Sequence, residues 1–439
     1  MIMKESHLNS TYGTIDDWIA CEAIPFSIDS PETFNAAVDK MIASLGDTVQ
    51  LLGLGEALHG GEEILMFRNR LFQYLVERHG YSAIAIESSF PRAHLVNEYV
   101  AGHDPASYEA VQNIGFSHGF GCLDANRELI EWMRQYNADP SHLVKLQFYG
   151  FDSPTEMTFT DSPRQLLLFV ISYLTSIDTN CGQEYFHRID PLLGKDSDWE
   201  NPAAMMEPTK SIGLSPAATA LRIETEELIS ELCIRRPELV AKSNEGRYLE
   251  AMHYASQARQ LLTYHAAIAQ ESTKRFVRLL GIRDAMMGDN LANIVTREQG
   301  RGKVFAFAHN SHLKRGISQW QLGPDLHSWW PAGSHLNEMF GSNYAVIGSG
   351  VGVSKANGIG QPESGTLEMF LTAIPGPVRL IPTHRGLGLP TSAIANLPVR
   401  SGSLKNSTYF ALTPQCIVDF DWLVICDSTT YSRGGPPLQ

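Results

Sequence analysis

Two histidine-bearing stretches hold the residue types that proton transfer needs. Gly55-Glu56-Ala57-Leu58-His59-Gly60-Gly61 sets a carboxylate three residues before an imidazole and two glycines directly after it. A nearby carboxylate fixes the imidazole tautomer and raises its basicity, so Glu56 and His59 read as a unit for general-base activation of a water or hydroxyl. Gly60 and Gly61 let the backbone turn sharply and come close to a ligand. The second stretch, Phe307-Ala308-His309-Asn310-Ser311-His312, spaces two histidines three apart. Two chemistries fit it. His309 can serve as an acid or oxyanion partner, or His309 and His312 can join His59 and a glutamate around a divalent metal that activates water. The spacing matches no His-Glu-x-x-His zinc motif. The working reading therefore has no cofactor, with a metal at His59, His309 and His312 kept open.

The elements that must position these groups are four short apolar runs, each ending in a polar group. Residues 49–54 lead to Glu56 and His59, 83–86 to Glu87, 146–151 to Asp152, and 304–308 to His309. Continuous apolar strands alternating with helices predict an α/β fold, a mostly parallel sheet with helices on both faces. Ligands bind outside the carboxyl ends of such strands, so Glu56, His59, Glu87, Asp152 and His309 are expected around one crevice. Residues 344–347 and 422–425 read as two further strands. After the third run the pattern turns helical, with amphipathic stretches over 216–234 and 245–270. This gives three parts: 1–160 as the first part of the core, 161–298 as an inserted helical region able to wall or cover the crevice, and 299–439 as the second part of the core. Residues 350–365, rich in Gly and Ser, read as an exposed loop.

The helix after Gly61 carries Ile64, Phe67, Leu71, Phe72 and Leu75 on one arc, and Arg68 falls inside it. Burying that charge is costly without a carboxylate, so Arg68 is expected to pair with Glu87 or Glu56. Gly115-Phe116-Ser117-His118-Gly119 matches the Gly-x-Ser-x-Gly pattern of serine hydrolases. A nucleophile elbow must follow a strand, whereas residues 106–114 read as helix or loop. Ser117 and His118 are instead expected to contact substrate, together with Asp152 and His312.

Composition narrows the partners. The chain has 439 residues, 43% hydrophobic and 19% charged, the balance of a folded globular protein. A net charge of −14 argues against non-specific binding to nucleic acid or anionic membrane, and suits a neutral or cationic small molecule. The start shows no apolar stretch of secretory type, and no run approaches the roughly 18 apolar residues of a membrane span, so a cytoplasmic location is expected. Six scattered cysteines without a Cys-x-x-Cys pair fit reduced thiols. Oligomeric state is not indicated.

In combination, Gly55-Glu56-x-x-His59, Arg68, Ile86-Glu87, Gly150-Phe151-Asp152 and Ala308-His309-Asn310-x-His312 resemble the erythromycin esterase family. The match in order and spacing continues through Arg283-Asp284 and Gly365-Thr366-Leu367-Glu368. The resemblance implies an α/β core with an added helical region, and hydrolysis of the ester closing a macrolide lactone ring, a route to antibiotic resistance. It implies His59 as the base that activates water, with Glu56, Arg68, Glu87 and His309 completing the site. Other readings are the same chemistry on a different lactone or ester, metal-dependent or not, and a non-catalytic metal- or haem-binding protein. Trp320, His327, Trp329, Trp330 and His335 are either core or a wall for a macrocycle.

Overall fold

The computed structural model describes residues 11–156, 159–389 and 394–436. Its centre is an eight-stranded sheet built from β1 (Ile24–Phe26), β2 (Leu51–Glu56), β3 (Tyr81–Ser89), β4 (Gln147–Asp152), β5 (Lys303–His309), β8 (Tyr344–Val353), β9 (Val378–Pro382) and β10 (Trp422–Ser428). The order is β1-β9-β10-β8-β2-β5-β3-β4. From β10 to β4 all neighbours are parallel; β9 runs antiparallel to both β10 and β1. A separate hairpin pairs β6 (Ser318–Leu322) with β7 (Asp325–Trp329).

Alternation along the inner strands explains why the sheet is covered twice. Leu52, Leu54, Ile84, Ile86, Phe305 and Phe307 point to one face and pack with Phe67, Leu71, Phe72 and Leu75 of the helix Glu62–His79. Leu51, Ala83, Ala85, Val304 and Ala306 point to the other, against Met287, Leu291 and Ile294 of the helix Arg275–Arg297. Side chains of a strand alternate between faces, so a strand buried on both must be apolar at every position. β2 and β3 are buried at every residue. The mostly parallel sheet with helices on both faces is the fold class expected above.

Register brings the polar strand ends to one edge. Glu56 pairs with His309 between β2 and β5, Ile86 with Phe307 between β3 and β5, and Ser89 with Asp152 between β3 and β4. Between β4 and β5 the chain is helical, from Arg164–Ile177 through Arg275–Arg297. These helices gather a cluster of their own around Leu167, Leu174, Leu221, Leu228 and Leu262, with Met286 contributed by the last of them. The helix Arg275–Arg297 is thus shared: Met286 faces the helical cluster, and Met287 faces the sheet.

Residues 350–353 depart from the expected loop, because β8 continues to Val353 and Gly350 to Gly352 are buried. Its glycines are there for close approach. A Cβ on Gly348 would meet the Phe420 ring at 2.7 Å, and one on Gly352 would meet the Asp427 carbonyl oxygen at 2.3 Å. Among the described residues, no helix is long and apolar enough to cross a membrane.

Candidate active site

Glu56 is the last residue of β2, and the turn that follows returns His59 over it. Nδ1 of His59 lies 2.6 Å from Oε1 of Glu56. A carboxylate only accepts, so Nδ1 carries the proton and Nε2 is left with its lone pair. Burial works against charge on the ring, but Glu56 and then Glu87 outweigh it and raise the His59 pKa above its ordinary value. Burial also raises the Glu56 carboxyl, with His59 pulling the other way. The His59 side chain keeps 28% of its surface exposed and lines a pocket of about 360 Å3 with His118, Phe120, Lys405, Asn406 and Thr408. This volume falls in the range of small-molecule sites.

His309 sits against His59, with ring centroids 5.2 Å apart. Its Nε2 is 2.7 Å from the carbonyl oxygen of Thr408, so Nε2 carries the proton; Nδ1 faces Ser311 Oγ at 2.6 Å. Burial, reinforced by charge on His59, pushes its pKa down to about 3. His309 is therefore a neutral N–H donor. The proton-donating role is not one this arrangement supports, because both ring nitrogens are engaged and the charged form is disfavoured. The backbone N–H of His309 donates to Glu87 Oε2 at 2.8 Å.

Beneath the histidines lies a buried network of charges. Arg283, on the helix Arg275–Arg297, donates from Nε to Asp152 Oδ1 at 2.9 Å, and from Nη2 to Asp152 Oδ2 at 2.6 Å and Glu87 Oε1 at 3.0 Å. His312 donates from Nδ1 to Asp284 Oδ1 at 2.8 Å, with Nε2 3.4 Å from Glu87 Oε1. Burial opposes its charge, yet Asp284 and Glu87 push its pKa up to about 10. Arg283 Nη1 is 3.2 Å from the same Nε2. With His312 protonated, that Nε2–H belongs to Glu87 and the arginine contact is between like charges. Burial would raise the Glu87 carboxyl, but His312, His59 and Arg283 hold it well below the usual range. Asp152 is lowered as well, Arg283 being the chief partner that overcomes its burial. Asp284 also accepts from Trp329 Nε1 at 2.6 Å and the Ala332 N–H at 2.9 Å.

Several expected residues take places other than those read from sequence. Arg68 is buried but pairs with neither Glu56 nor Glu87. It donates to Asn69 Oδ1 and the Ala125 carbonyl and lies 4.8 Å over the Phe307 ring. It faces the two carboxylates across a cavity of about 10 Å3, lined also by Asn126 and barely room for one water. Burial pushes its pKa down to about 10. Asp152 and His312 are closed off beneath the pocket, so they support the site and do not line it. Ser117 is buried too: its Oγ accepts the Ser89 N–H at 2.9 Å, and its own N–H donates to Ser88 Oγ at 2.9 Å. It follows no strand, as the pattern's mismatch indicated. His118 does line the pocket. Trp329 supports Asp284 as core, whereas Trp330 is exposed.

The segment 406–412 was not marked by sequence. Thr408 Oγ1 accepts the His59 N–H at 2.9 Å, and Asn406 Nδ2 donates to the His59 carbonyl at 3.1 Å. Glu368 holds the far end, accepting the Leu412 N–H at 2.7 Å. A Gly-Ser-Leu-Lys-Asn-Ser-Thr run looks like any polar loop, and Glu368 in the family-like stretch was the one pointer towards it.

The described residues gather one set of possible metal donors, Glu87, His118 and Asp152, within 4.8 Å of one another. It differs from the His59, His309 and His312 set kept open above, in which Glu56, Thr408 and Asp284 each engage one ring nitrogen. The set does not fit an ion in this arrangement, because the Arg283 guanidinium already spans Glu87 and Asp152.

The family model described as Erythromycin esterase matches residues 76–429. The chain is similar to Erythromycin esterase type II of Escherichia coli, 22% identical over 343 residues that cover 76% of each protein. In structure it resembles a Bacillus cereus protein with a TM-score of 0.74 and 18% identity, over 96% of this chain and 98% of that one. It also resembles a mutant of the erythromycin esterase EreC in its open conformation, with a TM-score of 0.64 and 19% identity, over 91% of this chain and 97% of that one.

Proposed function

Because this chain belongs to the erythromycin esterase family, we propose that it is a carboxylic ester hydrolase that opens the lactone of an erythromycin-like macrolide in the cytoplasm and so protects the cell that makes it. The observation that carries the reading is the Glu56–His59 pair, 2.6 Å apart, with Nε2 of His59 unengaged among the described residues and the ring lining a pocket of about 360 Å3. Nε2 takes a proton from water as the water oxygen attacks the ester carbonyl carbon, and Glu56 stabilises the imidazolium that forms. His309, neutral and with its Nε2–H on the Thr408 carbonyl, packs 5.2 Å from the His59 ring and holds the base in place. Arg283 and His312 keep Glu87 ionised, and its charge favours the protonated state of His59 after transfer. No step needs a metal.

Incubation with erythromycin, with and without a chelator, tests this by mass spectrometry. A gain of one water in both samples is expected. Unchanged antibiotic would overturn the substrate assignment, and product lost on chelation would overturn the metal-free route.

A further inference from the structure

The pocket over His59 holds a second imidazole–carboxylate pair. His118 Nε2 lies 2.9 Å from Oδ2 of Asp152, a residue with no solvent exposure, and the Asp152 carboxylate only accepts, so Nε2 carries a proton. Nδ1 of His118 is therefore the exchanging nitrogen. The two rings share a neighbour: His59 and His118 rest on Phe120 with centroid distances of 5.2 and 5.3 Å, and all three line the one pocket.

The backbone at His118 points the same way. Its φ is +58°, in the left-handed region that residues with a β-carbon rarely adopt, and Gly119 follows at +69°. The turn is fixed from outside: Ser117 is pinned to Ser88 and Ser89, and the His118 N–H donates to Glu156 Oε1 at 3.1 Å. A turn of this kind suits glycine or asparagine. A histidine there, aimed at a pocket and tied to a buried carboxylate, is strain of the sort found at functional positions.

Water attack on an alkyl ester raises a second proton problem, since the leaving alkoxide is a strong base. His309 is neutral with both nitrogens engaged and does not solve it. We infer that His118 is the general acid of the reaction, a catalytic residue working opposite His59. This rests on the esterase reading above. The water oxygen bonds to the carbonyl carbon while its proton goes to Nε2 of His59. The tetrahedral intermediate then collapses, the bond from carbon to the alkyl oxygen breaks with its electron pair on that oxygen, and Nδ1 of His118 delivers a proton to it. The products are an acid and an alcohol. His59 returns its proton to solvent and His118 takes one back, so nothing is oxidised or reduced.

The test compares erythromycin, whose leaving group is an alkoxide, with a 4-nitrophenyl ester, whose leaving group departs unprotonated. In His118→Gln, whose amide nitrogen reaches the place of Nε2 and can still donate to Asp152, kcat on the macrolide should fall about 100-fold further than kcat on the aryl ester. Equal losses on the two esters, or retained macrolide turnover, would overturn the assignment. Should the variant not fold, wild-type protein decides through a series of alkyl and aryl esters: kcat should vary little with the basicity of the leaving alcohol, because a proton is delivered to it. A steep fall in kcat as that basicity rises would overturn it. Wild-type protein that hydrolyses neither ester would sink the esterase reading and this inference with it.

Discussion

The backbone N–H of His59 donates to Thr408 Oγ1 at 2.9 Å, joining residues 349 positions apart. The same threonine's carbonyl takes the Nε2–H of His309 at 2.7 Å. One residue from the carboxyl-terminal part of the chain thus sets both histidines of the β2 and β5 ends.

Thr408→Val removes the acceptor for the His59 N–H and leaves the carbonyl in place. We expect a loss of about 1 kcal/mol in stability, a fall in kcat larger than the change in KM, and recovery of both in Thr408→Ser. A fall in stability with kcat unaltered would show that Thr408 holds the loop without setting His59.

Glu56→Gln tests the electrostatics of the base. His59 acts when deprotonated, and its raised pKa means that kcat/KM of the wild type climbs with pH through a midpoint above the ordinary histidine value of about 6.5. Without the Glu56 charge, burial governs the ring and lowers its pKa. The acid limb should move to lower pH while the plateau falls by roughly 100-fold. An acid limb that stays in place would mean that another group titrates there.

His312 connects the site to stability. Its folded pKa, about 10, lies above the unfolded value of about 6.5. The stabilisation is therefore complete below about pH 6.5 and is lost as pH rises through about 10. Urea unfolding of the wild type and His312→Gln should show the largest gap at pH 6 and a narrowing gap at pH 8 and 10. A gap that does not change with pH would contradict the charged state assigned to His312.

Ser117→Ala addresses the serine-hydrolase pattern. The Ser89 N–H loses its acceptor, so stability should drop by about 1 kcal/mol. Turnover per folded molecule should be retained. A folded variant that has lost turnover of both the macrolide and a 4-nitrophenyl ester would instead make Ser117 a nucleophile.

The strand ends were legible because strands buried on both faces must be apolar throughout, which leaves Glu56, Glu87, Asp152 and His309 conspicuous at their carboxyl ends. Parallel pairing then brings such ends to one edge whatever the strand order. Arg283 was harder to place, since its helix is buried on two sides and gives no single polar face to read. Thr408 acts on His309 through a backbone carbonyl, which any residue type supplies. Arg68 was rightly read as buried but given the wrong partner: helical phase tells which way a side chain points, not whether an amide and a carbonyl satisfy it before a carboxylate does. β8 was cut short because glycines required by Phe420 and Asp427 look, in sequence, like a loop.

His59 is the base on which every step of the proposed hydrolysis depends. His59→Gln should keep the fold, checked by its thermal midpoint, and should lose erythromycin turnover by about 1,000-fold or more, read as ring-opened product by mass spectrometry. Turnover within a few-fold of wild type would contradict the account.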